Sequence, residues 1–141
     1  MSYENLDPAQ AHDRLQSDEG WTYLDVRTEE EFAAGHPPGA YNIPLLFRGP
    51  AGMQPNPDFV SQVSRHFEKD TRLVVACKAG GRSLHACEAL AAEGYGALVN
   101  MDGGYHGRPN QMGRIEVEGW ASRGLPTTTD ATAGRTFGEL K

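Results

Sequence analysis

The stretch Arg72-Leu73-Val74-Val75-Ala76-Cys77-Lys78-Ala79-Gly80-Gly81-Arg82-Ser83 decides the reading of this chain. Leu73 to Cys77 is apolar without a break, the composition of a strand covered on both faces of a parallel sheet. A glycine-containing turn follows, then a helical pattern from about Arg82 to Glu93, which Gly94 ends. Cys77 therefore stands at the carboxyl end of a buried strand, the edge where open α/β sheets bind ligands. The first N–H groups of the helix have no intrahelical partner, and with the helix dipole they favour an anion. Gly80 and Gly81 allow a backbone path that lets several N–H groups converge. Lys78 and Arg82 add positive charge. A thiolate at Cys77 suits such a cradle, and the segment predicts a nucleophilic cysteine.

Outward from this unit, strands and helices alternate. Asp7-Pro8 reads as an N-cap with proline at the first helical position, opening a helix to about Leu15. Trp21 to Arg27 is a β-rich run. Thr28 and Glu31 form a capping box before a helix that Gly35 ends. Gly39 to Pro44 predicts a short strand and Leu45 to Pro55 a loop. Asn56-Pro57-Asp58 opens a helix with Phe59, Val60, Val63 and Phe67 on one face. Ala97 to Met101 predicts a further buried strand, and Trp120 to Leu125 a short closing helix. This order implies right-handed crossovers and a three-layer α/β/α fold with a mostly parallel central sheet. Residues 1–126 read as one domain and 127–141, weakly apolar, as a flexible C-terminal tail.

Composition narrows the function. The 141 residues carry a formal net charge of -6, which argues against nucleic acid and anionic membrane as partners. No apolar run approaches the ~20 residues of a membrane span, and the N-terminus lacks a signal-peptide pattern, so a cytoplasmic location is expected. Yet Thr71 to Cys87 and Gly103 to Ile115 contain no Asp or Glu while holding Arg72, Lys78, Arg82, Arg108 and Arg114. Such basic islands in an acidic protein fit a local anion site. Cys77 and Cys87 are the two cysteines, too few for a disulfide scaffold, and with His85 too few for a zinc site; no metal is expected. Cys87, one to two turns into the helix, reads as packing. Asp25, Arg27 and Glu31 read as a structural ion-pair set, and His36 as a structural hydrogen-bonding residue.

These residues resemble the rhodanese family of sulfurtransferases. Leu24-Asp25-Val26-Arg27, Glu31-Phe32, Gly35-His36-Pro37-Pro38-Gly39-Ala40 and Ile43-Pro44 are similar to the family's first signature. Cys77 to Ser83 with Ala86, Leu90 and Gly94-Tyr95 resembles its catalytic loop and helix. Met101-Asp102-Gly103-Gly104, then Trp120 and Gly124-Leu125-Pro126, resembles its closing signature. The resemblance implies that Cys77 takes the outer sulfur of a small anionic donor such as thiosulfate, becomes a persulfide, and yields the sulfur to a thiol, cyanide or protein acceptor. Lys78, Ala79, Gly80, Gly81, Arg82 and Ser83 are then the substrate-binding loop, and no organic cofactor is implied. Arg82 either binds the donor or braces the loop through a carboxylate. A persulfide carrier serving one protein partner, a non-enzymatic binding module and a phosphatase-like enzyme are the alternatives. Cys77 and Arg82 enclose four residues, whereas the phosphatases sharing the fold enclose five, and the tighter loop suits one sulfur atom.

Two segments leave from the same sheet edge. Fifteen residues separate Gly104 from Trp120, many more than in a typical single-domain relative. This insertion, at about 105–119, offers His106 and Arg108 as mouth residues. The loop after Pro44 offers Arg48.

Overall fold

Four residues, Leu73–Ala76, form β6, and every one of them is buried. Their β-branched and aliphatic side chains fill both faces of the sheet, as a central parallel strand requires. In the computed structural model, which describes residues 3–130 and 135–141, β6 lies in the middle of a five-stranded sheet. The order is β1 (Tyr3–Leu6), β7 (Leu98–Met101), β6, β2 (Thr22–Asp25), β3 (Tyr41–Asn42). All neighbours run parallel, with Leu73 opposite Leu98 and Asp25 opposite Ala76. The three-layer α/β/α expectation holds.

The two faces carry separate cores. On one, Phe59 and Val63 of α3 (Phe59–His66) and Ala86, Cys87 and Leu90 of α4 (Gly81–Ala92) pack on Leu24, Leu73 and Val75. On the other, Ala11 of α1 (Pro8–Gln16) and Phe32 of α2 (Glu29–Ala34) join Tyr23, Val74, Val99 and Trp120. Local chemistry sets the helix starts. Asp7 accepts from Gln10 N at 2.8 Å while Gln10 returns a bond to Asp7 N at 3.0 Å. Thr28 and Glu31 do the same for α2. These are the reciprocal capping boxes legible in the sequence. Asp58 makes no side-chain cap for α3; Asn56 Oδ1 instead accepts from Asp58 N and shapes the entry turn.

Three sequence expectations are corrected, and the insertion shows a pairing that the sequence did not reveal. The predicted loop Leu45–Pro55 holds an antiparallel hairpin, β4 (Leu46–Gly49) and β5 (Gly52–Pro55), whose glycines and prolines sit at its turn and end rather than abolishing pairing. The insertion carries a smaller hairpin of β8 (Arg108–Pro109) and β9 (Ile115–Val117). Trp120 to Gly124 is a run of turns, not a helix, with Trp120 N bonded to Gly104 O at 2.9 Å. The segment 127–141 departs from a free tail: Thr128 bridges to His36, Asn42 N bonds to Arg135 O, and α5 (Phe137–Leu140) buries Phe137 and Leu140 in the core beside α3. Two apolar side chains three residues apart share one helix face, enough to dock a single turn. Residues 131–134 of that predicted tail lie outside the described residues. Tyr3–Leu6 is a strand that sequence reading missed; its two central residues, Glu4 and Asn5, are polar and exposed, so no alternation marks it.

Candidate active site

Cys77 follows the last residue of β6 and is buried, at 2% exposure for the residue as a whole. Gly80 N–H donates to Cys77 Sγ at 3.1 Å. Gly80 can do so because its φ is +125°, a region that L side chains avoid, and α4 begins at the next residue. The outer side of the loop is tied back: Tyr105 N donates to Cys77 O at 2.9 Å, His106 N to Lys78 O at 2.9 Å and Gly103 N to Ala79 O at 3.1 Å. Three successive carbonyls are thus drawn away from the cradle, removing the negative dipoles that would oppose an anion inside it. This contact needs Gly104: at φ +58°, a Cβ there would lie 2.5 Å from Cys77 O and from Lys78 C and O.

Ser83, read from the sequence as part of the substrate-binding loop, is fully buried beside the thiol. Its Oγ lies 3.4 Å from Cys77 Sγ and 2.5 Å from Asn100 Oδ1, and Asn100 Nδ2 donates to Asn5 Oδ1 at 2.9 Å. This buried polar chain supports the thiol from the sheet side. Asn100 was missed in sequence reading, although one amide inside the apolar strand Leu98–Met101 is the signal that marks it.

Arg82 braces. Its guanidinium reaches Glu31 with NH1 at 2.7 Å to Oε1 and NH2 at 2.9 Å to Oε2, a bidentate pair joining the loop helix to α2. Burial opposes ionisation of Glu31, but the Arg82 bonds and the Thr28 N–H and hydroxyl outweigh it and hold the carboxyl at about 2. Because that value lies below the usual 4.5, the stabilisation is complete above about pH 5 and is lost as pH falls toward 2. Glu31→Gln is expected to lower stability by about 1–2 kcal/mol at pH 7, after allowance for partial exposure, and the difference from wild type should shrink toward zero near pH 2. Urea melts of both proteins across that range check it.

Asp25 and Arg27 are buried, at 0% and 1% exposure. Arg27 Nε and NH2 engage both Asp25 oxygens at 2.7–3.1 Å, and NH2 also reaches Gly35 O at 2.7 Å. The guanidinium carbon lies 4.3 Å from the centroid of the Tyr105 ring. The pair thus anchors the end of β2 to the Tyr105 segment that ties back the Cys77 loop.

On the outer side of Lys78 and Arg82, Thr28, Glu31, Arg48, Gly49, Gly52, Met53, Lys78 and Arg82 line a cavity of about 490 Å³. Arg48 lines the same cavity as Lys78, and Cys77 is not among the lining residues. A cavity of about 450 Å³ elsewhere, between Trp21, Tyr41 and Trp120, includes no loop residue. His106 flanks the loop through its amide; partial burial, then the charges of Arg27 and Lys78, hold its imidazole below the usual range. Arg108, offered by the sequence as a mouth residue, is engaged by Asp102 at 2.7 Å and Glu116 at 3.0 Å and does not line the cavity beside Lys78. Those carboxylates hold it at the base of the insertion hairpin. Cys87 is fully buried and free, its thiol pushed up to about 12 by burial and then by Cys77 and Glu88. His36 stacks on Phe32 at 3.8 Å, with its ring nitrogens 2.7 and 3.1 Å from Phe32 O and Asp130 O.

Against this geometry, the comparisons are consistent. The chain is 44% identical, over 83% of its length and 86% of the relative's, to thiosulfate sulfurtransferase 16, chloroplastic, of Arabidopsis thaliana. It is 54% identical over 61% of its length to the protein HIGH ARSENIC CONTENT 1, mitochondrial, of the same plant, and the match spans about half of that relative. The fold matches the crystal structure of Rv0390 from M. tuberculosis with a TM-score of 0.75 at 22% identity, covering 90% of this chain and 98% of that one. A family model described as a rhodanese-like domain matches residues 7–107, a span running from the cap of α1 through the Cys77 loop to the segment that ties it back, and the chain belongs to that family.

Proposed function

We propose that this protein is a sulfurtransferase that moves sulfane sulfur from thiosulfate, or a related anionic donor, to a thiophilic acceptor through a persulfide on Cys77. The observation that carries this reading is the Gly80 amide directed at Cys77 Sγ at the start of α4. An N–H group so placed stabilises negative sulfur, on the thiolate before transfer and on the persulfide after it. The name of the 44% identical plant relative supports the same chemistry.

The thiolate attacks the outer sulfur of thiosulfate. A Cys77–sulfur bond forms as the donor's sulfur–sulfur bond breaks, and sulfite leaves with that electron pair. The terminal sulfur of the persulfide then carries the negative charge. An acceptor nucleophile attacks this sulfur, the persulfide bond breaks, and its electron pair returns to Cys77 as thiolate. Cyanide leaves as thiocyanate; a small thiol or a protein thiol leaves as a persulfide. The side chain itself stores the sulfur, so the cycle needs no organic cofactor. The four residues between Cys77 and Arg82 fit one sulfur better than a phosphoryl group.

Two-substrate steady-state kinetics test the reading. A covalent intermediate predicts parallel double-reciprocal lines for thiosulfate and acceptor. Intersecting lines, or turnover of an aryl phosphate exceeding that of thiosulfate, would reverse it.

A further inference from the structure

We infer that Asn100, on β7, is a positioning residue for sulfur transfer: by taking the Ser83 hydroxyl proton, it leaves the Ser83 oxygen facing Cys77 as an acceptor, and so drives negative charge from the inner sulfur to the outer, transferable one. The inference rests on the sulfurtransferase reading for the persulfide, while its first readout concerns the free thiol alone.

Geometry fixes the direction of each bond. Asn100 stands in register with Val75 of β6 and with Asn5 of β1. Val75 packs with Ala86 and Leu90, so α4 covers this row of the sheet. Asn100 Nδ2 donates to Asn5 Oδ1 at 2.9 Å, which turns Asn100 Oδ1 toward Ser83 Oγ at 2.5 Å. An amide oxygen has no proton to give, so Ser83 donates this bond. Gly80 O, at 3.1 Å, is the weaker competitor for the same proton. A serine hydroxyl has only one proton. With that proton committed, the Ser83 lone pairs face Cys77 Sγ at 3.4 Å. Ser83 and Asn100 are both buried.

A hydroxyl held as an acceptor suits a thiol, which donates its S–H, and opposes a thiolate, whose charge meets the lone pairs. The Gly80 N–H acts in the opposite sense. The persulfide reconciles the two, because its charge sits on the outer sulfur and its inner sulfur is neutral. Asn100 thus raises the energy of the thiolate relative to the persulfide and favours the loaded form. The other titratable or charged groups that bear on Cys77 are Arg82 and Cys87 on α4, Tyr23 and Asp25 on β2, and the adjoining Lys78 and Tyr105. Arg82 is paired with Glu31 and Asp25 with Arg27, while burial pushes the Tyr23 hydroxyl and the Cys87 thiol up. All of them are retained in the variants below.

The test is the pH dependence of iodoacetamide alkylation at the Cys77 peptide. Asn100→Leu, similar in size and without a polar group, releases the Ser83 hydroxyl, which turns to the charged sulfur as the stronger acceptor. The alkylation midpoint should move to lower pH by about one unit. In a Ser83→Ala background, Asn100→Leu should leave the midpoint where Ser83→Ala alone puts it, a result that general damage to the site would not give. The second readout is the sulfite-to-thiosulfate ratio at which half of the protein carries sulfur, read by intact mass at a pH where Cys77 is thiolate in both proteins. A thiolate stabilised by that one unit lowers the ratio about tenfold in Asn100→Leu. A midpoint unchanged in Asn100→Leu, or shifted equally with and without Ser83, would overturn the inference. Should Asn100→Leu not fold, Asn5→Ala, at an exposed position, loosens the Asn100 amide and decides: a shift of the same sign supports the inference, and none overturns it. If the midpoint shifts as expected but wild type takes no sulfur from thiosulfate, the sulfurtransferase reading fails while the action of Asn100 on the thiol stands.

Discussion

Cys77→Ser is expected to reduce sulfur transfer from thiosulfate to background, a loss on the order of 10³-fold or more, as for removal of a covalent nucleophile. A serine hydroxyl stays protonated at neutral pH and cannot carry the second sulfur as a persulfide. The fold should survive the change. The Gly80 N–H at 3.1 Å can be accepted by a hydroxyl oxygen, and Ser83 Oγ lies close enough to share a bond with it. Melting within a few degrees of wild type, with activity lost, separates chemistry from structure. Substantial residual activity in Cys77→Ser would place the nucleophile elsewhere. Cys87 is the other cysteine, and its thiol, pushed up to about 12, has almost no thiolate at neutral pH.

Asp25→Ala should give the largest loss of stability. Arg27 is 1% exposed and draws its charge compensation from Asp25 through three hydrogen bonds. Removing one member of a buried pair leaves an uncompensated charge and costs about 3–5 kcal/mol. For a chain of this size that corresponds to a fall in Tm of roughly 10–20 °C. The loss is not confined to β2, because Arg27 also holds Gly35 O and packs on Tyr105, whose amide ties back Cys77 O. The double variant Asp25→Leu with Arg27→Met, which removes both charges, should recover much of the stability. Thermal melts decide: a double variant as unstable as Asp25→Ala would mean that the charge is not the source of the loss.

The parts of the fold that were legible in the sequence are those that local chemistry determines. The unbroken apolar run from Leu73, the capping boxes at Asp7 and Thr28 and the glycine stop at Gly35 each contain their own explanation within a few residues. So does the Cys77 loop, where the glycines that permit the turn adjoin the thiol. Illegible parts depend on distant partners. Whether Arg82 binds a ligand or braces the loop depends on Glu31, 51 residues away in sequence. Ser83 lies inside the protein because Asn100, on the neighbouring strand, holds it there. Phe137 and Leu140 read as part of a weakly apolar tail until Phe47 and the α3 face provide a surface for them. The hairpin Leu46–Pro55 hid behind its own glycines and prolines. Gly103 and Gly104 were visible as residues, but their contact with the loop carbonyls comes only when β6 and β7 lie side by side.

The most direct measurement is the intact mass of the protein after exposure to thiosulfate and removal of excess donor. Wild type and Cys87→Ala should each gain one sulfur atom, and the gain should disappear on addition of cyanide, while Cys77→Ser should gain none. A wild-type mass that does not change, or a sulfur adduct that persists in Cys77→Ser, would contradict the assignment of the cradled thiolate as the sulfur carrier.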